Sequence, residues 1–436
     1  MKNDLNLKRI KQMMRASGAT QLYLKRLAEN DNSKNQVYLG PDFTALNVLP
    51  TGDLVGDPEK PSRLKAPLSF SWLSSEGISP APNAQLILYP QYPEVRFSGF
   101  LKGSANAPSD VMTVRESGRY LFFGITAAGQ ILGFAASRNS ALAKEVESLN
   151  LVPDTGVFSR IPLERFTDDR HLLLTELARI AGLGWINSKR LSSKGELLPC
   201  EASNCGGYTL EAELGIRPNG FSDPDFHGWE IKQHAVTKLS NPGSGGPITL
   251  MTPEPTGGIY VDKGIKEFIR RYGYPDRTVA DRRNFGGIHN TLKICAATSL
   301  ALTLEGYDTA KRKITDFSKG ISLIGTKGET AATWHYKDLL SHWTRKHALA
   351  AYVPSISRKD PVNQYQYGSI VRLAEGTEFS MFLNGVATGA VYYDPGIKIV
   401  DASSAHPVIK KRSQFRIRSA SIPLLYSAVT ETDVTA

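Results

Sequence analysis

Between Pro224 and Lys232 the chain sets two acids and a lysine, Asp225, Glu230 and Lys232, at a spacing suited to cutting a phosphodiester. If Glu230, Ile231 and Lys232 lie on a strand, the two-residue side-chain period puts the carboxylate and the ammonium on one face and Ile231 in the core. Asp225 joins them across a short bend at Gly228. Two converging carboxylates form a hard-cation site of the kind Mg²⁺ prefers, and a metal there activates water and stabilises the charge that grows on phosphorus. Lys232 then orients or deprotonates that water. Alone, the Glu-x-Lys pattern equally describes a surface salt bridge, so its context decides. Just upstream, Gly207 to Gly215 predicts a short helix with Leu210 and Leu214 on one side and Gly215 as its stop. That helix adds a further carboxylate, Glu211.

The order Thr-Leu-Glu before Leu-Gly, then Pro-Asp-Phe, then Gly-x-Glu-x-Lys over residues 209–234 resembles the MvaI/BcnI restriction endonucleases and the mismatch-repair nicking enzyme MutH, a branch of the PD-(D/E)xK nucleases. The resemblance implies an α/β nuclease domain in which Asp225 and Glu230 bind the metal, Lys232 is the catalytic lysine and Glu211 assists. It also implies Mg²⁺-dependent, in-line attack of water on double-stranded DNA, leaving a 5′-phosphate and a 3′-hydroxyl, by a monomer. A basic segment later in the chain fits the same family. There a strand bearing an acid and a base precedes a basic loop and a Phe-Arg-Ile-like strand, which points to Asp394, Lys398, Arg412 and Arg416 as DNA contacts. By base chemistry, Asp394 suits a cytosine amino group, and Lys398 or Arg412 suits guanine O6 and N7. Lys398 stands where the family usually has an arginine. Lys410 to Arg418 also reads as a solvated, phosphate-facing edge strand.

The elements that must position these residues fall into two regions. At 436 residues the chain is long for a single core, so two domains are expected, about 1–160 and 165–436. The predicted class is α+β. The first region is read as an all-β barrel or sandwich with short strands at 36–39, 68–72, 85–89, 95–100, 120–126 and 131–135, flanked by helices at 1–18 and 141–149. Residues 152–164 read as a linker, and an amphipathic helix over 170–183 leads into the nuclease segment.

Composition bounds the partners. Net charge is +10, with 19 basic against 15 acidic residues up to Arg165 and 33 against 27 beyond it. A surplus shared by both regions suits two surfaces facing nucleic acid, where cations displace condensed counterions. With neither a signal peptide nor an apolar run long enough to span a membrane, a cytoplasmic protein is expected. Three cysteines, Cys200, Cys205 and Cys295, argue against a disulfide scaffold and for reduced, packed thiols. The arginines at 270, 271, 277, 282 and 283 are read as backbone contacts at best, and His227 and His289 as structural.

Lys25 to Gly40 carries a second resemblance, to the opening of the effector DNA-binding pseudobarrel of EcoRII-type enzymes. It implies that this turn is one of two arms that enter a DNA groove. Asn30, Asn32 and Gln36 have the chemistry to read adenine, Lys34 suits guanine or phosphate, and Lys25 and Arg26 suit the backbone. Arg96 and Lys102 are the expected second arm. Such a domain binds a second copy of the recognition site, and CCWGG is the first target to consider. Two other outcomes are open at this point: a MutH-like nicking enzyme of repair, and a catalytically silent DNA-binding regulator.

Overall fold

The computed structural model describes all residues except 1–4, 30–34, 90, 91, 93, 164–168, 203 and 218–224, and leaves out the side chains of residues 61, 62, 345 and 346. It is a mixed α+β protein that divides into two compact units, Met1–Thr167 and Asp168–Ala436. No described helix is long and apolar enough to cross a membrane.

Two sheets build the first unit. In the six-stranded sheet the spatial order is Ser159–Arg160, Ala19–Leu27, Arg119–Thr126, Ile131–Ala136, Phe70–Ser74 and Gly77–Pro80. Its pairs are antiparallel except Ile131–Ala136 on Phe70–Ser74. The five-stranded sheet is antiparallel throughout and runs Val37–Tyr38, Glu94–Ser98, Gln85–Tyr89, Lys60–Pro67, Val55–Asp57. Phe97 of the second sheet meets Phe70 and Phe123 of the first at ring-centroid distances of 5.0 and 5.9 Å, so aromatic packing joins the two inner faces. Helix Leu7–Ala16 starts at Asn6, whose side chain accepts from the Arg9 amide, and buries Leu7, Ile10 and Met14 in the same core as Leu22 and Phe122. Residues 152–164, expected as a linker, instead supply the edge strand Ser159–Arg160, with Phe158 and Ile161 buried. Flanking prolines hid this short alternation.

A mixed sheet organises the second unit. Leu349–Lys359 lies at its centre, between Asn363–Tyr367 and Ile370–Glu375, with Ile186–Asn187 and Ala428–Asp433 at the two ends. Glu230–Ala235 pairs parallel with the first half of that central strand, in the register Glu230↔Ala350 and Lys232↔Tyr352. Helix Asp169–Gly182 contributes Leu173, Leu177 and Ile180, and helix Cys205–Glu213 contributes Leu210, to one core with Ile231, Ala351, Val353 and Leu373. A three-stranded sheet (Pro247–Met251, Phe415–Arg418, Val391–Tyr393) and a four-stranded one containing Arg283–Gly286 and Gly396–Val400 extend the unit.

Cys200 and Cys205 are not free thiols but form a disulfide. The turn before helix Cys205–Glu213 brings their Cα atoms to 5.8 Å, well within bridging range. Cys295 is the buried free cysteine.

Candidate active site

A two-residue turn brings the acids together. Phe226 and Trp229 exchange backbone bonds of 3.0 and 2.8 Å, enclosing His227 at φ 46° and Gly228 at φ 84°. Two consecutive left-handed residues are the signature of the tight hairpin turn that matches strand twist. Glycine carries the second at no steric cost, and histidine is among the residues that tolerate the first. The turn folds Asp225 back so that its Oδ2 accepts from the Ile231 amide at 3.0 Å. Ile231 and Trp229 are 5% and 3% exposed and fix the strand on the core.

On the opposite face Glu230 is 1% exposed, and its carboxylate is ion-paired with the Lys232 ammonium. Burial first, then the charge of Glu230 and a hydrogen bond to it, push the Asp225 carboxyl up to about 7, against the milder pull of the Ile231 amide and Lys232. Burial would lower Lys232, but its pairing with Glu230 and the fields of Asp225 and Glu211 outweigh this and raise it above the usual lysine value. Three carboxylates and one ammonium therefore share one electrostatic site.

Glu211 stands on helix Cys205–Glu213, near enough for its charge to act on Lys232. The buried Thr209 hydroxyl pins the helix by accepting from the Lys189 amide at 3.1 Å and donating to the Lys189 carbonyl at 3.2 Å. Glu213, one turn end further on, is occupied with Arg179 and Lys189 at 3.4 and 2.5 Å. Sequence reasoning missed His234, which the strand period places on the face of Glu230 and Lys232. It is 3% exposed, and its Nε2 lies 2.9 Å from the Pro242 carbonyl. Tyr352, paired in register with Lys232, is also buried and shares a 3.0 Å hydroxyl contact with Tyr426. Among the described residues no group of three or more His, Cys, Asp or Glu is arranged as a ready metal cage.

Of the later basic residues, the structure brings Asp394 and Arg416 together. Arg416 donates to the Asp394 carboxylate at 2.7 Å and to the Pro247 carbonyl at 2.9 Å. Arg412 is exposed and its guanidinium crowds Gly396, while Lys398 lies mid-strand between Asn284 and Lys410. The arginine cluster at 270–283 is largely spent internally: Arg270 and Arg271 pair with Glu267, Arg282 with Asp276, and Arg283 donates to the Gly273 carbonyl. His289 is fully buried, with Nε2 2.8 Å from the Thr298 hydroxyl.

In the first unit, Lys25, Gln36 and Arg96 line one concavity with Tyr38 and Arg119. Arg96 donates to Gln36 at 3.4 Å and to Glu94 at 2.9 Å and stands over the Tyr89 ring. Arg119 is structural, donating to the carbonyls of Glu116, Val111 and Ala28. Arg26 pairs on the surface with Glu147, and Lys102 sits in a separate exposed turn. Asn30, Asn32 and Lys34 lie outside the described residues.

A strand of the mixed sheet thus presents an acid and a lysine beside a turn-borne second acid, and comparison with known proteins supplies the class. The model of the MvaI/BcnI restriction endonuclease family matches residues 174–426, more than half of the chain, and the chain belongs to that family. Among solved structures it is similar to restriction endonuclease MvaI in complex with cognate DNA, at 18% identity and TM-score 0.46 over 61% of this chain and 99% of that one. It is also similar to MvaI without DNA, at 17% identity and TM-score 0.34 over 62% and 99%. No curated protein matches it.

Proposed function

We propose that this chain is a type II restriction endonuclease that hydrolyses double-stranded DNA at a short site through Asp225, Glu230, Lys232 and Glu211, with Mg²⁺ as cofactor. The observation that carries the reading is the convergence of Asp225 on Glu230 and Lys232 across the His227-Gly228 turn. The residues fit a divalent cation. Two carboxylates forced together beside one ammonium push the Asp225 carboxyl up to about 7, and Asp225 and Glu230 would hold a hard cation that would relieve that conflict. When bound, Mg²⁺ supplies Lewis-acid stabilisation of the phosphate charge and acidifies water.

The chain's own residues do the rest. Lys232 is held charged by the surrounding acids, so it enters the reaction as a donor that orients the attacking water or the scissile phosphate. Glu211 adds negative field that keeps this ammonium in place. The Ile231 amide holds Asp225 in position. As the water oxygen forms its bond to phosphorus the P–O3′ bond on the far side breaks; the attacking water gives up a proton to solvent and the departing 3′-oxygen takes one up, leaving a 3′-hydroxyl and a 5′-phosphate.

Asp394 and Arg416, with Lys398 and Arg412 beside them in sequence, are the proposed base-reading and phosphate-contacting set. The first unit is proposed as an EcoRII-type effector domain that binds a second DNA site through Lys25, Gln36, Arg96 and the neighbouring arm. CCWGG is the proposed target, and the protein is proposed to act as a monomer in the cytoplasm. Plasmids bearing one or two CCWGG sites, incubated with and without Mg²⁺ and sequenced at their ends, test these points together. Cleavage at CCWGG that needs Mg²⁺ and favours the two-site plasmid supports them; cleavage of both plasmids at equal rates removes the second-site role.

A further inference from the structure

Three large apolar side chains stand in water on one short hairpin of the second unit. Ile288, Leu292 and Ile294 are 48%, 70% and 56% exposed. The hairpin that carries them is firmly built. Asn290 and Lys293 pair across it, and the Asn290 side-chain oxygen accepts from the amides of Leu292 and Lys293 at 3.0 and 3.2 Å. The Thr291 hydroxyl lies 3.0 Å from the carbonyls of both Val386 and Ala387. Below the tip, buried His289 stacks on Phe285 at 5.4 Å, and the Leu292 side chain lies over Gly389, where a Cβ would strike it. The Asn290 and Thr291 side chains are thus satisfied within the fold while the apolar ones are held outward, an arrangement that marks an interaction surface.

Its neighbours indicate what covers it. His289 and Tyr393 exchange backbone bonds of 2.8 and 2.9 Å, so the hairpin is rooted on the residue before Asp394, whose carboxylate Arg416 holds. On its other side the hairpin continues from Arg283–Gly286, which pairs with the strand of Lys398. Exposed Lys293 puts a positive charge at the tip itself. An apolar tip with a cationic residue, continuous with an acid–arginine pair, suits base edges and phosphates of a duplex, where thymine methyl groups accept apolar contact. We propose that residues 288–294 form an additional DNA-reading element that lays Leu292 and Ile294 against base edges in the groove entered by Asp394 and Arg416. This rests on the nuclease reading above.

The test uses the full chain, with Ca²⁺ in place of Mg²⁺ to hold the complex uncut, and the double variant Leu292→Ser, Ile294→Ser. Affinity is measured for the duplex that the wild-type enzyme cleaves and for a random duplex of equal length. The expected result is binding to the cleaved duplex weakened about tenfold or more, in line with lost burial of large apolar side chains, with random-duplex affinity unchanged and thermal stability retained. Unchanged affinity for both duplexes, equal weakening on both, or loss of a wild-type dimer without any affinity change would overturn the proposal. If the wild type cleaves no duplex, the nuclease reading fails first and this inference with it; if it cleaves and the variant binds equally well, the hairpin reading alone is lost.

Discussion

With its carboxyl pushed up to about 7 by burial and by Glu230, Asp225 gives the metal-free protein a defined pH response. Its folded value lies above the ordinary 3.8, so its contribution to stability is fully present below about pH 4 and is lost as pH rises through about 7. The substitution Asp225→Asn removes the repulsion; metal-free thermal melts at pH 8 are expected to show this variant more stable than the wild type, with cleavage abolished. A lower melting temperature for Asp225→Asn at pH 8 would contradict the proposed strain. At limiting Mg²⁺, wild-type cleavage is expected to fall as pH drops below about 7, because protons then compete for the Asp225 carboxylate. Lys232→Ala, which removes the donor, and Glu230→Ala, which removes a proposed metal-holding carboxylate, are each expected to lower single-turnover cleavage by about a thousandfold or more while leaving DNA affinity in Ca²⁺ nearly unchanged.

Among the elements, the hairpin turn before strand Glu230–Ala235 is the one whose geometry the site depends on most. Gly228 sits at φ 84°, where a side chain is strained, so Gly228→Val is expected to cost at least about 1–2 kcal/mol and to slow cleavage. His227→Gly, which eases the other left-handed position, is expected to keep activity. Thermal melts and single-turnover rates on the two variants check both. Much at this scale is legible from residue order. Strand Gln85–Tyr89 falls at its expected bounds, and helix Asp169–Gly182 lies one residue from its expected limits, because apolar periodicity reports burial directly. The helix of Glu211 is likewise legible, starting at Cys205 rather than Gly207. What residue order hides is long-range. Nothing local marks Leu349–Lys359 as the parallel neighbour of Glu230–Ala235, since pairing partners 120 residues apart leave no trace in either strand's own pattern. The Cys200–Cys205 bridge depends on a turn rather than on spacing. Nor does residue order show that Arg270 and Arg271 of the basic cluster at 270–283 pair with Glu267 and that Arg282 pairs with Asp276.

At the scale of the whole molecule, two compact units each carry part of a net charge of +10. A fragment spanning residues 1–167 is expected to bind the cleavage-site duplex in preference to random duplex, with affinity falling steeply as salt rises. A gel-shift titration at two salt concentrations measures this, and equal affinity for both duplexes removes the effector reading. The described part of its concave patch, Lys25, Gln36 and Arg96, is the place to begin substitutions.

Joint action of Asp225, Glu230 and Lys232 on a phosphodiester is the central claim. Its most direct measurement is single-turnover cleavage of a plasmid carrying the recognition site by the wild type, Asp225→Asn and Lys232→Ala, each with and without Mg²⁺. The prediction is cut DNA with 5′-phosphate ends from the wild type in Mg²⁺ alone. Cleavage retained by either variant, or by the wild type after complete chelation of divalent metal, would contradict it.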